Sequence, residues 1–211
     1  MSPFAMTDAD PKWVANFVEV FALCGVQPGD ACAILSETPS RPVLPRMAEL
    51  ALAQLGARWF HLRLPTPRQS APVPVRSTGA SDAIRHLGPV VAALANSVFV
   101  ADCTVEGLQH AAELPEILKS GARVLAISNE HPEILERCMP RAEDEAPVRD
   151  AMRRLKGARE MRVSSLAGNF LYSTGANEVA GRHTLGHFDL PLRGCTVTLD
   201  GMAVVDNGVL V

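Results

Sequence analysis

Short apolar runs that alternate with segments of helical period constrain this chain more than any single motif in it. Residues 13–23 place Val14, Phe17, Val18, Phe21 and Ala22 at helical spacing, and Gly25 follows as a stop. Gln27-Pro28-Gly29-Asp30 then turns the chain into 31–35, an apolar run short enough for a buried strand. Residues 42–55 are a second helix ended by Gly56, and 58–64 a second strand. A strand, a helix and a strand in this order make a crossover unit, which requires a parallel sheet covered by helices.

The alternation continues. Helices are predicted at 82–94, 108–119 and 132–138, and strands at 97–101 and 123–127. A charged amphipathic helix follows at 143–155, and 160–164 reads as one more strand. Between these elements, 64–79 holds Pro65, Pro67, Pro72 and Pro74 and reads as a surface loop. After Gly168 the pattern changes. Residues 169–172 are β-like, 173–181 are rich in turn formers, and 196–211 read as two strands joined around Asp200-Gly201, a hairpin signal. The expected fold is therefore α/β: a parallel-type sheet with flanking helices over 1–167, and a small β-rich C-terminal segment over 168–211.

At 211 residues and 47% hydrophobic the chain can bury a substantial core. Its 20 basic and 23 acidic residues are interspersed, net charge -3, which leaves no footprint for nucleic acid and no polybasic stretch for a membrane surface. No apolar run reaches the roughly 18 residues needed to cross a bilayer, and the N-terminus lacks the basic and apolar parts of a leader. Five scattered cysteines (Cys24, Cys32, Cys103, Cys138, Cys195) with no CxxC pair read as reduced thiols, so the expected location is cytoplasmic.

Chemistry points to one tripeptide first. In His187-Phe188-Asp189, at the start of the extended run 190–199, residues i and i+2 project to one strand face, so an imidazole and a carboxylate can share a metal ion. They would form two of three ligands in a 2-His-1-carboxylate iron site, or part of a zinc or manganese site. The alternative is a packed histidine and an aspartate that caps or pairs with Arg193. His183, four residues upstream, is a candidate third ligand. Ser173-Thr174-Gly175-Ala176-Asn177 offers hydroxyls and an amide to a polar substrate, or is only a tight turn.

Ligands of parallel α/β sheets collect beyond the carboxyl ends of the strands. Asp102 and His110 follow one such end, Glu130 and His131 the next, and Glu37 the first; all are placed where an acid or base is useful. GxGxxG, GxxxxGK[ST], HExxH and GxSxG are all absent, which removes the main support for dinucleotide, P-loop, zincin and serine-hydrolase readings.

Two blocks carry a family resemblance. One is 117–164, with Ile117-Leu118-Lys119-Ser120-Gly121 and Pro132-Glu133-Ile134-Leu135-Glu136-Arg137-Cys138-Met139-Pro140. The other runs from Gly168-Asn169-Phe170-Leu171-Tyr172-Ser173-Thr174-Gly175 to His187-Phe188-Asp189-Leu190-Pro191-Leu192-Arg193. In these the chain resembles the 2,5-dihydroxypyridine 5,6-dioxygenases, iron(II) enzymes of nicotinic acid breakdown that are related in fold to thermophilic metal-dependent aminopeptidases. The resemblance implies Fe(II) held by His187 and Asp189, His110 as acid/base, and a small aromatic N-heterocycle and O2 as partners. Relative to that family the chain is shortened, lacking the middle region near 167–169 and the remaining iron-binding histidine that it contains. His183 or a neighbouring subunit would then supply the third ligand, or the site is incomplete. The shortening also implies exposed apolar surface and hence a homo-oligomer. The alternatives are a metal-dependent aminopeptidase-like hydrolase and a degenerate, non-catalytic homologue.

Overall fold

The structure is a computed structural model that describes residues 10–66, 81–165, 168–173, 196–199, 202–206 and 209–210. Its contacts divide the chain into two compact units, Met1–Met139 and Pro140–Val211.

The first unit begins with α1 (Pro11–Leu23). Asp10 caps it by accepting the Lys12 N–H at 3.0 Å, and Pro11 fits the first turn because its missing N–H would have no intrahelical partner. β1 (Ala31–Glu37), α2 (Val43–Gln54) and β2 (Arg58–Leu64) follow. Next come α3 (Gly88–Ala95), β3 (Phe99–Cys103), α4 (Leu114–Lys119), β4 (Arg123–Ala126) and α5 (Pro132–Arg137). The strands pair in parallel in the order β2-β1-β3-β4, as the alternation predicts.

Both faces of this sheet are covered. On one, Cys32 and Ile34 of β1 and Phe99 and Ala101 of β3 pack with Phe17 and Phe21 of α1 and with Leu44, Met47 and Leu52 of α2. On the other, Ala33, Leu35 and Val100 pack with Val91 and Leu94 of α3 and Ile117 of α4. Period-2 side-chain alternation sends neighbouring residues of one strand into two different cores, which is why 31–35 of β1 and 99–101 of β3 are apolar without interruption. β2 lies at an edge, and its Trp59 and Phe60 are 39% and 38% exposed.

Two expected helices are shorter than predicted. Residues 82–87 form turns, with Arg85 N–H bonded to Asp82 O and Leu87 N–H to Ile84 O, and His86 takes a left-handed φ of 59°. The helix starts only at Gly88, where Pro89 occupies the first turn and disfavours helical backbone before it. Likewise 108–113 are turns and α4 begins at Leu114 with Pro115 in its first turn, so His110 sits in a loop and not in the first turn of a helix.

In the second unit a short 3-10 turn (Ala142–Asp144) leads into α6 (Glu145–Gly157), whose surface carries ion pairs Arg149–Glu145 and Arg154–Asp150 at 2.6 and 2.8 Å. β5 (Glu160–Ser165) belongs to this unit's antiparallel sheet and not to the parallel one. It lies between β6 (Gly168–Ser173) and β7 (Thr196–Leu199), and β8 (Met202–Asp206) and β9 (Val209–Leu210) complete the order β6-β5-β7-β8-β9. Leu199 pairs with Met202, the register that the Asp200-Gly201 signal predicts. Among the described residues of 196–211 there are three strands where two were expected, because a second turn signal, Asn207-Gly208, follows β8 and β9 returns along it.

Candidate functional site

In the order β2-β1-β3-β4, β1 and β3 are neighbours whose onward connections diverge, β1 to β2 on one side and β3 to β4 on the other. Such a switch point opens a crevice at the carboxyl ends of the two strands. Here β1 ends in Ser36-Glu37 and β3 in Asp102-Cys103, followed by Thr104, and all five are 0–2% exposed.

These buried polar groups form a closed hydrogen-bond web. Glu37 Oε1 accepts from Ser81 Oγ at 2.9 Å and from the Val105 N–H at 3.2 Å, while Oε2 accepts from the Thr66 hydroxyl. Ser40 Oγ accepts the Glu37 N–H at 2.8 Å and donates to the Cys103 carbonyl at 2.7 Å, lacing the β1–α2 loop to the end of β3. Asp102 Oδ1 accepts from the Thr104 N–H and hydroxyl at 3.0 and 2.6 Å, and Oδ2 accepts from the Leu108 N–H at 2.7 Å. Leu35 pairs with Asp102, so Asp102 shares the sheet face of Leu35 and Glu37. Burial pushes the Asp102 carboxyl up to about 6; the bonds from Thr104 and Leu108 oppose this, and the charge of Glu37 adds to it. Glu37 and Asp102 thus lie at the carboxyl ends of β1 and β3, where the sequence placed them. The roles of Ser40, Ser81 and Thr104 were missed, because nothing in a lone Ser or Thr marks it as a partner of a distant carboxylate.

His110 is exposed on the loop that follows β3. His131 and Glu130 stand at the next strand end, where His131 Nδ1 accepts the Glu133 N–H at 3.3 Å and caps α5, its ring edge-on to Trp13 at 5.1 Å. Both line an apolar cleft of about 200 Å³ walled by Phe17, Phe21, Leu44 and Ile127. On the α2 face, Ser36 Oγ lies 2.7 Å from His61 Nε2, and His61 Nδ1 lies 3.7 Å from Glu49. This order resembles a nucleophile relay, but Ser36 is 2% exposed; the array ties α2 to β2.

Among the described residues no group of three His, Cys, Asp or Glu is arranged to hold a metal. His183, His187 and Asp189 lie outside the described residues, as do Thr174 to Asn177, Cys195 and most of the proline-rich loop. Cys24, Cys32, Cys103 and Cys138 are free thiols, and burial pushes the Cys32 thiol to about 11 and that of Cys103 well above the usual range. No described helix is long and apolar enough to cross a membrane.

The sequence model of the 2,5-dihydroxypyridine 5,6-dioxygenase (NicX) family matches residues 12–168 and 164–211. The chain belongs to this family. The 2,5-dihydroxypyridine 5,6-dioxygenase of Pseudomonas putida KT2440 is 51% identical over 53 residues, 24% of this chain and 15% of that one. The solved structure of the 2,5-dihydroxypyridine dioxygenase from the same organism superposes with a TM-score of 0.67 at 29% identity, over 77% of this chain and 47% of that one. This family member therefore spans about half the length of the relative whose structure it matches.

Proposed function

We propose that this chain is a shortened ring-cleaving dioxygenase acting on a hydroxylated pyridine such as 2,5-dihydroxypyridine with O2. The observation that carries the reading is the family match through 164–211, the stretch that contains His187-Phe188-Asp189. Two matches that meet at 164–168 also support an internal stretch of the family being absent here. The matched family and both relatives carry the dioxygenase name, and nothing in them favours the aminopeptidase reading.

Within this reading His187 and Asp189 hold a divalent metal, Fe(II). One imidazole and one carboxylate suit that ion, and a third ligand, from His183 or a second copy of the chain, would complete a facial set. The metal, held by these residues, would supply the activation of O2 that ring opening needs. His110, exposed on the loop after β3, moves a proton on the substrate as the ring opens. A homo-oligomer in the cytoplasm is part of the proposal, supported by the exposed Trp59 and Phe60 of the edge strand; light scattering that shows only monomer would count against it.

The test is metal content by mass spectrometry after anaerobic Fe(II) loading and desalting, for the wild type beside His187→Ala and Asp189→Ala, followed by oxygen uptake with 2,5-dihydroxypyridine. Near-stoichiometric iron that both substitutions abolish, with oxygen uptake, is expected. Iron-free wild type without uptake would favour a second reading, which the half-length match itself supports: a non-catalytic homologue that keeps the scaffold.

A further inference from the structure

We propose that Glu37 is a positioning residue for His110, its buried carboxylate fixing the loop that presents that imidazole beyond the end of β3. The inference rests on the reading of His110 as the group that moves protons.

His110 is exposed, so few side-chain contacts can fix its place and the loop backbone must. The part of that loop before His110 is held at two points by buried carboxylates. Toward its start, Glu37 takes the Val105 N–H directly at 3.2 Å. It also reaches Gly107 through Ser81, which donates its hydroxyl to Glu37 at 2.9 Å and its backbone N–H to the Gly107 carbonyl at 2.8 Å. Farther along, Asp102 takes the Leu108 N–H at 2.7 Å, leaving only Gln109 between the held segment and His110. Gly107 turns the chain at φ 76°, where a side chain would be strained.

Glu37 does more than fill space. Donors from the exit of β2 (Thr66), from the approach to α3 (Ser81) and from the loop after β3 (Val105) converge on one carboxylate that is 2% exposed. A carboxylate accepts without donating, so all three bonds are charge-assisted, and a fully satisfied buried network selects one geometry where an apolar side chain would allow several. This convergence occurs at the switch point of the sheet, where a displacement of about 1 Å costs a catalytic group as much as a hundredfold in rate.

The full-length chain, loaded with Fe(II), is compared as wild type, Glu37→Gln and Glu37→Ala by amide hydrogen exchange and by oxygen uptake with 2,5-dihydroxypyridine. Glutamine keeps one oxygen for Ser81 and Val105; alanine keeps none. Glu37→Ala is expected to speed exchange at Val105, Gly107 and Leu108 about tenfold or more, and to lower kcat about tenfold with KM within about twofold. Glu37→Gln should recover most of both. Wild-type exchange at those amides in Glu37→Ala overturns the proposal, as does a glutamine variant that loses kcat as fully as alanine. A wild type that opens no ring overturns the reading of His110 instead, and exchange alone then decides whether Glu37 holds the loop. If Glu37→Ala does not fold, Glu37→Asp replaces it: the shorter side chain withdraws its carboxylate from the Val105 N–H, so faster exchange at Val105 is expected, and unchanged exchange overturns the proposal.

Discussion

Asp102 Oδ2 accepts the backbone N–H of Leu108 at 2.7 Å, a bond that folds the loop after β3 back onto the strand it has just left. The same carboxylate takes two bonds from Thr104. Asp102→Ala would strand three buried donors at about 1 kcal/mol or more each, so a loss of about 3 kcal/mol is expected, read from the urea midpoint.

Asp102 also sets a pH dependence. Its folded value of about 6 lies above the ordinary 3.8, so the folded state binds more protons between these values. This contribution is fully present below the unfolded value and is lost as pH rises through the folded one, on the order of 3 kcal/mol in all. Urea unfolding between pH 4 and 7 should give Asp102→Asn a stability that, relative to wild type, improves as pH rises. Parallel curves for the two proteins would contradict it.

The His61 ring works in the opposite direction. Burial lowers its proton affinity, with Glu49 opposing and Arg63 reinforcing the effect. A folded value below the unfolded one means that stability is lost as pH falls below about 6.5. His61→Gln should flatten that decline, and it leaves Ser36 with a side chain able to hydrogen-bond. The check is thermal unfolding of both proteins at pH 7.5 and 5.5.

Phe21 is fully buried, with its ring 4.8 Å from that of Phe99 and 5.7 Å from that of Phe17. Phe21→Ala should cost about 3–5 kcal/mol by opening a cavity between α1 and the sheet, and Phe21→Leu markedly less. Chemical denaturation of both variants would measure the difference.

His110→Ala should separate chemistry from stability. An exposed loop side chain contributes within about 0.5 kcal/mol to folding, whereas loss of a general acid/base lowers turnover about 100-fold or more. Equal melting temperatures with collapsed oxygen uptake are expected; unchanged uptake would remove His110 from the mechanism.

Thiol reactivity should follow burial. Cys138 is exposed, while Cys32 and Cys103 are buried with raised pKa. Peptide mapping after brief alkylation should find Cys138 modified and the other two modified only in denaturant.

The apolar runs at β1 and β3 and the amphipathic period of α1 and α2 determined the parallel α/β sheet without help, because burial on two faces demands uninterrupted apolar residues. The turn signals around Gly25 and Gly56 bounded the first crossover for the same local reasons. The short helices α3 and α4 were less legible: Gly88-Pro89 and Pro115 mark their starts, but the apolar period before each proline mimics a longer helix. For the candidate site, Glu37, Asp102 and His110 were legible as residues beyond strand ends, and His187 and Asp189 as a motif that lies outside the described residues. Only the tertiary structure decided that Glu37, Thr66, Ser81 and Val105 meet, since hydrogen bonds across up to 68 residues leave no periodic trace in the chain. It also decided that Ser36 is closed off behind His61, because burial depends on what packs above a residue and not on the residue itself.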